Sequence, residues 1–351
     1  MSEDVLTVAV ATPLSEQLAR LIQQREPRVR LRVDRSLLPP MRFPADFAGD
    51  PSFRRTPEQQ QAFERMLDGA DALYGIPDVS PAALKRAVEA NPQLRWVHTM
   101  AAGGGSQVKA AGLGEADLAR VAFTTSAGVH GGPLAEFALF GLLSGAKRLP
   151  KLLADQRDKH WPHDRWVMSQ VGEQTVLVLG LGGIGREIAR LAKAFGAHVI
   201  GSARSPKELP DIDEFVRPDE LASVAGRVDA VALALPGTDA TEGLLGRDFF
   251  AAAGPGLTVV NVGRGTVIDE PALIAALQDG TVGFAALDVV AVEPLAADSA
   301  LWSLPNVLIS PHTAALNPAE ERRIAELFAD NAGRLLDGRP LLHRVDTVDF
   351  Y

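Results

Sequence analysis

Short apolar runs alternate with amphipathic stretches through the first third of the chain. Runs at 5–11, 29–33, 72–76, 94–99 and 121–124 have the length and branched aliphatic content of buried strands. Residues 14–25 carry apolar side chains at helical spacing between the first two. Strand and helix signals in alternation predict a parallel sheet with helical crossovers. Residues 36–57 break the rhythm, with Pro39, Pro40, Pro44, Pro51 and Pro57. Proline lacks the backbone donor and clashes inside a helix, so no regular element is expected there. The stretch reads as a surface insertion or as a functional loop.

A different pattern starts at 132–149. Leu134, Phe137, Ala138, Phe140, Leu142 and Leu143 crowd most of one helix surface, as in a helix buried on several sides. It suits a connector between domains, and a face for a second subunit. The stretch 155–166 is polar. Val176-Leu177-Val178-Leu179 is then continuously apolar, as a strand covered on both faces requires. Further strands are expected at 199–203, 228–235, 257–262, 284–289 and 307–309. Asp269-Glu270-Pro271 opens a helix and Gly280 closes it. A last helix is expected at 318–336. The pattern predicts an α/β chain of two doubly wound parallel-sheet domains. A central, six-stranded Rossmann domain is expected over 128–315, and a discontinuous flavodoxin-like domain from 1–127 with 316–351.

Composition removes several function classes. The 351 residues suit two domains. Without cysteine there is no disulfide, thiolate zinc site or catalytic thiol, which fits a reducing cytoplasm. A net charge of −9 argues against nucleic acid or an anionic membrane as partner. The start, Met1-Ser2-Glu3-Asp4, is acidic and unlike a secretory leader. No window approaches ~18 uninterrupted apolar residues. His160 and His163 lack an evident third ligand, so no metal is expected. No nucleophile-elbow serine or P-loop lysine motif is present, which disfavours a hydrolase or nucleotide triphosphatase.

Gly180-Leu181-Gly182-Gly183-Ile184-Gly185 fits G-x-G-x-x-G, between a buried strand and an amphipathic helix. Gly180 allows the tight turn, Gly182 lets a pyrophosphate approach the backbone, and Gly185 lets the helix pack on the strand. The helix N-terminus then offers free N–H groups to the phosphates. An acid about twenty residues on would take the ribose hydroxyl of NAD. The sequence there reads Gly201-Ser202-Ala203-Arg204-Ser205. A guanidinium grips a 2′-phosphate and no carboxylate repels it. NADP(H) is therefore favoured, with NAD(H) as the alternative.

In an open parallel sheet, ligands sit beyond the carboxyl ends of the strands. The chain delivers Leu235-Pro236, Asn261-Val262-Gly263-Arg264-Gly265, Leu287-Asp288-Val289, Glu293-Pro294-Leu295 and Ser310-Pro311-His312-Thr313 to that rim. The run from Asn261 to Leu273 resembles the signature of the D-isomer-specific 2-hydroxyacid dehydrogenases. Ala286-Leu287-Asp288-Val289 leading to Glu293, and Leu301-Trp302 leading to Pro305-Asn306-Val307 and Ser310-Pro311-His312, resemble it too. With the glycine loop, the resemblance covers about 174–315. It implies that Asp288 holds the nicotinamide carboxamide and that Val262 and Gly263, with Leu235 and Pro236, line the cofactor.

The chemistry follows from the substrate. A 2-oxo acid presents a carboxylate beside a ketone. Arg264 can take the carboxylate with its fork and polarise the ketone. Protonated His312 can give its proton to the ketone oxygen as hydride arrives. Glu293 beside it favours imidazolium and fixes the ring. Thr99-Met100-Ala101-Ala102-Gly103-Gly104-Gly105 resembles the family's glycine-containing loop, which implies that the N–H groups of Ala101, Ala102 and Gly103 receive the substrate carboxylate. Two positions depart from the family pattern: Gly105, where Asp is frequent, and Ser126, where Asn is common. His98, His130, Arg54 and Arg55 are further candidates for touching substrate.

The expected activity is reversible NADPH-linked reduction of a small 2-oxo acid to the D-hydroxy acid, by a homodimer. Glyoxylate, hydroxypyruvate and phenylpyruvate-like acids are candidates. An NAD-dependent relative acting on another acid such as 3-phosphoglycerate is the alternative enzyme. A dinucleotide-sensing, corepressor-like protein is the non-enzymatic alternative. Arg264, Glu293 and His312 together argue against the latter, because a sensor needs no proton donor.

Overall fold

The computed structural model describes residues 5–203, 208–348 and 350. The chain divides into two compact units, Met1–His130 with Leu316–Tyr351, and Gly131–Ala315. Among the described residues no helix is long and apolar enough to cross a membrane.

The first unit holds β1 (Leu6–Val10), β2 (Val29–Arg32), β3 (Ala72–Tyr74), β4 (Trp96–His98) and β5 (Ala122–Thr124) in a parallel sheet of order β2-β1-β3-β4-β5. That is the flavodoxin-like order. Leu6, Val8, Ala9 and Val10 of β1 are all fully buried, which accounts for the continuous apolar run. The helix Glu16–Arg25 starts where Ser15 accepts from the Leu18 N–H. The helix Glu320–Leu336 returns to this unit and lays Phe328 flat on Trp96, with ring centroids 4.5 Å apart. Residues 343–345 extend the sheet edge: the Thr125 N–H donates to the His343 carbonyl and the Val345 N–H to the Phe123 carbonyl.

The proline-rich insertion departs from expectation at both ends. A 3-10 turn, Arg35–Leu37, begins it, and Pro57 opens the helix Pro57–Asp68 behind a Thr56/Gln59 capping box. Proline costs nothing at a helix start, where its missing N–H would be unpaired anyway. Buried Asp46 accepts from the N–H and guanidinium of Arg42 and from the Gly49 N–H. Glu321 accepts from the Ala45 N–H. Arg55 is spent in the same way. Its guanidinium lies 3.8 Å from the Phe63 ring centroid and donates to the Leu37 carbonyl and to Asp78. Arg54 donates to the Pro51 and Phe53 carbonyls. The insertion is thus stitched to its own unit.

The second unit holds β6 (Thr175–Leu179), β7 (His198–Ser202), β8 (Glu214–Val216), β9 (Ala230–Leu233), β10 (Leu257–Asn261), β11 (Val282–Leu287) and β12 (Val307–Ile309). The sheet is parallel, in the order β12-β11-β10-β9-β6-β7-β8. Seven strands replace the expected six. The additional strand, β8, is three residues long and, among the described residues, pairs with β7 alone. Two of its residues are half-buried, so it lacks the apolar run that marks the others. Both sheet faces are covered: Leu177 and Leu179 belong to one apolar cluster, Val176 and Val178 to the other. The connector helix is shorter than its apolar pattern suggests. It spans Gly131–Ala146, and a second helix, Leu149–Arg157, follows Arg148 in the left-handed region at φ 52°. Side chains at Gly141 and Gly145 would strike Val260 and Thr258, so the glycines let this helix lie close on β10.

Candidate active site

The site in the second unit is built on the carboxyl ends of its strands. After β6, Gly180 turns the chain at φ +93°, a conformation that suits glycine. The helix Gly183–Ala194 begins at Gly182 without a side-chain cap. Among the described residues nothing accepts from the N–H groups of Gly183, Ile184 and Gly185. A side chain at Gly182 or Gly183 would meet open space, whereas one at Gly185 would run into the Gly180 carbonyl. Free N–H groups at an open helix start fit a pyrophosphate. Leu235 packs against Gly180, and Gly263 lets its strand end pass close to the Leu235 backbone. These residues therefore gather around one loop. Arg204 and Ser205 lie outside the described residues.

The turn after β10 is held by Asn261, which is fully buried. Its Oδ1 accepts from the Gly263 N–H and its Nδ2 donates to the Arg264 carbonyl, each at 3.0 Å. The following residue, Gly265, lies on the Val290–Ala291 backbone with no room for a side chain. Arg264 itself is exposed, with Nη1 donating to the Gly263 carbonyl at 2.7 Å. Asn261 stood in the sequence motif without a role. Only its pairing to its own turn gives it one.

Asp288 does more than the motif suggests. It is 2% exposed. Its Oδ1 accepts from the Ser310 hydroxyl at 2.7 Å and from the Thr313 and Ala314 N–H groups at 2.9 Å. Its carbonyl accepts from the His312 N–H at 2.9 Å. One residue after β11 thus ties down the whole turn after β12. At the centre of that turn, His312 adopts φ +55°, which a non-glycine residue keeps only when its surroundings hold it. Its Nδ1 stands 2.7 Å from Glu293 Oε2. Glu293 Oε1 accepts from the Val290 N–H at 3.3 Å. An ionised carboxylate only accepts, so the ring carries a proton on Nδ1 and directs Nε2 away from Glu293. Both side chains are partly open to solvent, at 49% and 38%.

The first unit carries the glycine-containing loop after β4. Among the described residues no group accepts from the N–H of Ala101, Ala102 or Gly103. The departure at Gly105 has a steric cause. A side chain there would strike the Phe350 carbonyl, so the C-terminal stretch occupies the place an Asp would need. His98 and His130 are spent inside the unit rather than displayed. His130 Nε2 lies 2.9 Å from Glu320 Oε1, both buried. His98 is fully buried between Thr124 and Ser126.

Burial pushes the His98 imidazole down to about 3, with His343 acting the same way. A histidine held neutral stabilises the fold fully above pH 6.5. As pH falls below that value the unfolded chain takes a proton that the fold refuses, until the folded value is reached. The expected loss is about 2 kcal/mol between pH 6.5 and about pH 5. Urea unfolding of the wild type and His98→Gln at both values checks it. The variant should show a smaller pH dependence by that amount.

His160 and His163 are exposed, and among the described residues no three His, Asp or Glu side chains are grouped to hold a metal.

The family model of the D-isomer specific 2-hydroxyacid dehydrogenase NAD binding domain matches residues 139–314. An uncharacterised protein in the proB 3′ region of Corynebacterium melassecola is 31% identical over 301 residues, 86% of this chain and 87% of that protein. Glyoxylate/hydroxypyruvate reductase B of Yersinia enterocolitica serotype O:8 is 35% identical over 201 residues. That match covers 56% of this chain and 62% of the reductase, under two thirds of its length. The crystal structure of a D-isomer specific 2-hydroxyacid dehydrogenase from Xanthobacter autotrophicus Py2, in complex with NADPH and MES, matches with a TM-score of 0.76 at 27% identity. It covers 99% of this chain and 100% of that one.

Proposed function

Since the chain belongs to the D-isomer specific 2-hydroxyacid dehydrogenases, we propose that this oxidoreductase reduces a small 2-oxo acid to the D-2-hydroxy acid with NADP(H). The observation that carries the reading is the 2.7 Å pair of His312 Nδ1 and Glu293 Oε2, on a turn fastened by Asp288.

The residues that would hold the dinucleotide are Gly180, Gly182, Gly183, Ile184 and Gly185 at the pyrophosphate. Leu235, Pro236, Val262 and Gly263 would lie along its nicotinamide half, and Asp288 Oδ2 would face the carboxamide. Arg204 and Ser205 would take the 2′-phosphate. A reduced nicotinamide held there would supply the hydride for the ketone carbon. Arg264 pairs its fork with the substrate carboxylate and draws electron density towards the ketone oxygen. His312 Nε2–H gives its proton to that oxygen. Glu293 keeps the ring oriented and balances the charge it carries before transfer. In the oxidation direction the same Nε2 takes the hydroxyl proton. The N–H groups of Ala101, Ala102 and Gly103, which have no protein acceptor among the described residues, are assigned to the substrate carboxylate by their likeness to the family's glycine-containing loop.

Two measurements test this. NADPH and NADH oxidation is followed with glyoxylate, hydroxypyruvate and phenylpyruvate, for the wild type and Arg204→Asp. NADPH turnover by the wild type that shifts towards NADH in the variant is expected, since a carboxylate repels the 2′-phosphate and suits the free ribose. Dinucleotide binding without turnover of any acid would favour a sensor. Arg264→Lys keeps the charge and loses the paired donors, so kcat/KM should fall by about tenfold to a hundredfold.

The chain is further read as a homodimer through its second unit, where Phe140, Leu153, Trp161 and Val167 are exposed apolar residues. Light scattering on the purified protein gives its mass directly, and a monomer at micromolar concentration would exclude that assembly.

A further inference from the structure

The proposed reaction leaves a fully buried ionisable side chain without a role. His98 closes β4 immediately before the loop assigned to the substrate carboxylate. Trp96 and Phe328 enclose it edge-on, with centroids 6.1 and 5.7 Å away. Both ring nitrogens have partners: Nδ1 lies 2.8 Å from Thr124 Oγ1, and Nε2 lies 3.2 Å from Ser126 Oγ.

The direction of these bonds follows from counting protons. Trp96 Nε1 can only donate, and it donates to Thr124 Oγ1 at 2.8 Å. The Ser126 hydroxyl donates to the Thr99 carbonyl at 3.1 Å. Its single proton is used there, so Ser126 Oγ accepts from His98, and Nε2 carries the ring proton. Nδ1 is then bare in the neutral ring and accepts from the Thr124 hydroxyl. One chain of donors runs from Trp96 through Thr124, His98 and Ser126 to the Thr99 carbonyl, with every member satisfied. A cationic ring would point Nδ1–H at a hydroxyl that already accepts from Trp96, stranding the Thr124 proton.

Ser126 also holds the loop a second time. Its N–H donates to the Ala101 carbonyl at 3.4 Å. The same carbonyl accepts from the Gly104 N–H and the Thr99 hydroxyl, each at 3.3 Å. Two loop carbonyls are therefore tied back to the end of β5, while the N–H groups of Ala101, Ala102 and Gly103 keep no protein acceptor among the described residues.

We propose that His98 is a positioning residue for substrate binding: kept neutral with its proton on Nε2, it orients Ser126, which fixes the 99–104 loop. The inference rests on the reading of that loop as the receiver of the substrate carboxylate. Its effect should appear in substrate affinity, because the loop's N–H groups act on a charge present in ground state and transition state alike.

Ser126→Ala removes the hydroxyl and keeps the backbone bond. With glyoxylate and NADPH, the KM for glyoxylate should rise about tenfold, while kcat and the KM for NADPH stay within about twofold. His98→Leu should reproduce that split, and His98→Gln, which still offers an N–H to Ser126, should restore most of the affinity. Should His98→Leu fail to fold, Ser126→Ala decides the kinetic question alone. An unchanged KM in Ser126→Ala, or equal changes in all three constants, would overturn the proposal. Nitrogen-15 NMR of labelled histidine reads the ring itself. His98 should remain the neutral Nε2–H form from pH 8 to about pH 4. A proton on Nδ1, or titration near pH 6.5, would overturn the proposal as well. If the wild type turns over no 2-oxo acid, the functional reading falls and the kinetic role of His98 falls with it, whereas the NMR result still decides the donor chain.

Discussion

Replacing His312 by alanine is expected to slow 2-oxo acid reduction by about a thousandfold while leaving dinucleotide binding intact. A positioned acid contributes about 10²–10⁴-fold to such a step. The upper part of that range is foreclosed, because water reaches the half-exposed ring position and can donate in its place. Among the described residues no hydrogen bond links His312 to residues 180–185, so NADPH titration by fluorescence should give an unchanged Kd. His312→Gln makes the comparison sharper. Glutamine can still hydrogen-bond the ketone and cannot deliver a proton at neutral pH. Equal losses in the two variants would assign the effect to proton transfer, whereas a nearly active glutamine variant would mean that orientation alone is needed. A rate within threefold of wild type in both would exclude His312 as the donor.

Asp288→Ala should be nearly as damaging, although its Oδ1 is engaged with the turn rather than with His312. Removal leaves the Ser310 hydroxyl and the Thr313 and Ala314 N–H groups without their acceptor. Unmet donors of this kind cost about 1–3 kcal/mol each when buried, and water can satisfy some of them, so a loss of about 3 kcal/mol is expected in urea unfolding. The turn would also relax from the left-handed backbone at His312. Displacement of the donor by about 1 Å lowers kcat by about a hundredfold. Asp288→Asn separates geometry from charge. Its amide oxygen can face the same three donors, so the fold should recover most of its stability. Kinetic recovery alongside would show that the carboxylate serves as an anchor. Stability restored without kcat would show that its charge is needed at the cofactor.

The positions of the candidate site residues were legible because they fall at strand ends in an ordered set of motifs. Leu235, Arg264, Asp288, Glu293 and His312 each follow a strong apolar run, and parallel strands bring all such ends to one rim. Elements without an apolar signature were not legible. Glu214-Phe215-Val216 is an edge strand covered on one side, so neither alternation nor a continuous run betrays it. The break at Arg148 has no proline or glycine at that position, and the apolar pattern runs on past it to Leu149. Partner choice was the other blind spot. Arg55 in a proline-rich loop reads like a free cation, yet Phe63, Leu37 and Asp78 claim it. Nor do the letters Ser126 and His98 disclose a shared proton chain, since its direction depends on five residues from two strands and the two loops that follow them.

The contact of Gly105 with the Phe350 carbonyl couples two parts of the chain that sequence places far apart. A protein carrying aspartate at the first position cannot route its C-terminal stretch over the same spot. The two positions should therefore covary among relatives: glycine with a tail that crosses the loop, a larger residue with a tail that turns aside. Grafting the aspartate into this chain alone would be an incomplete change, and the tail would have to be exchanged with it.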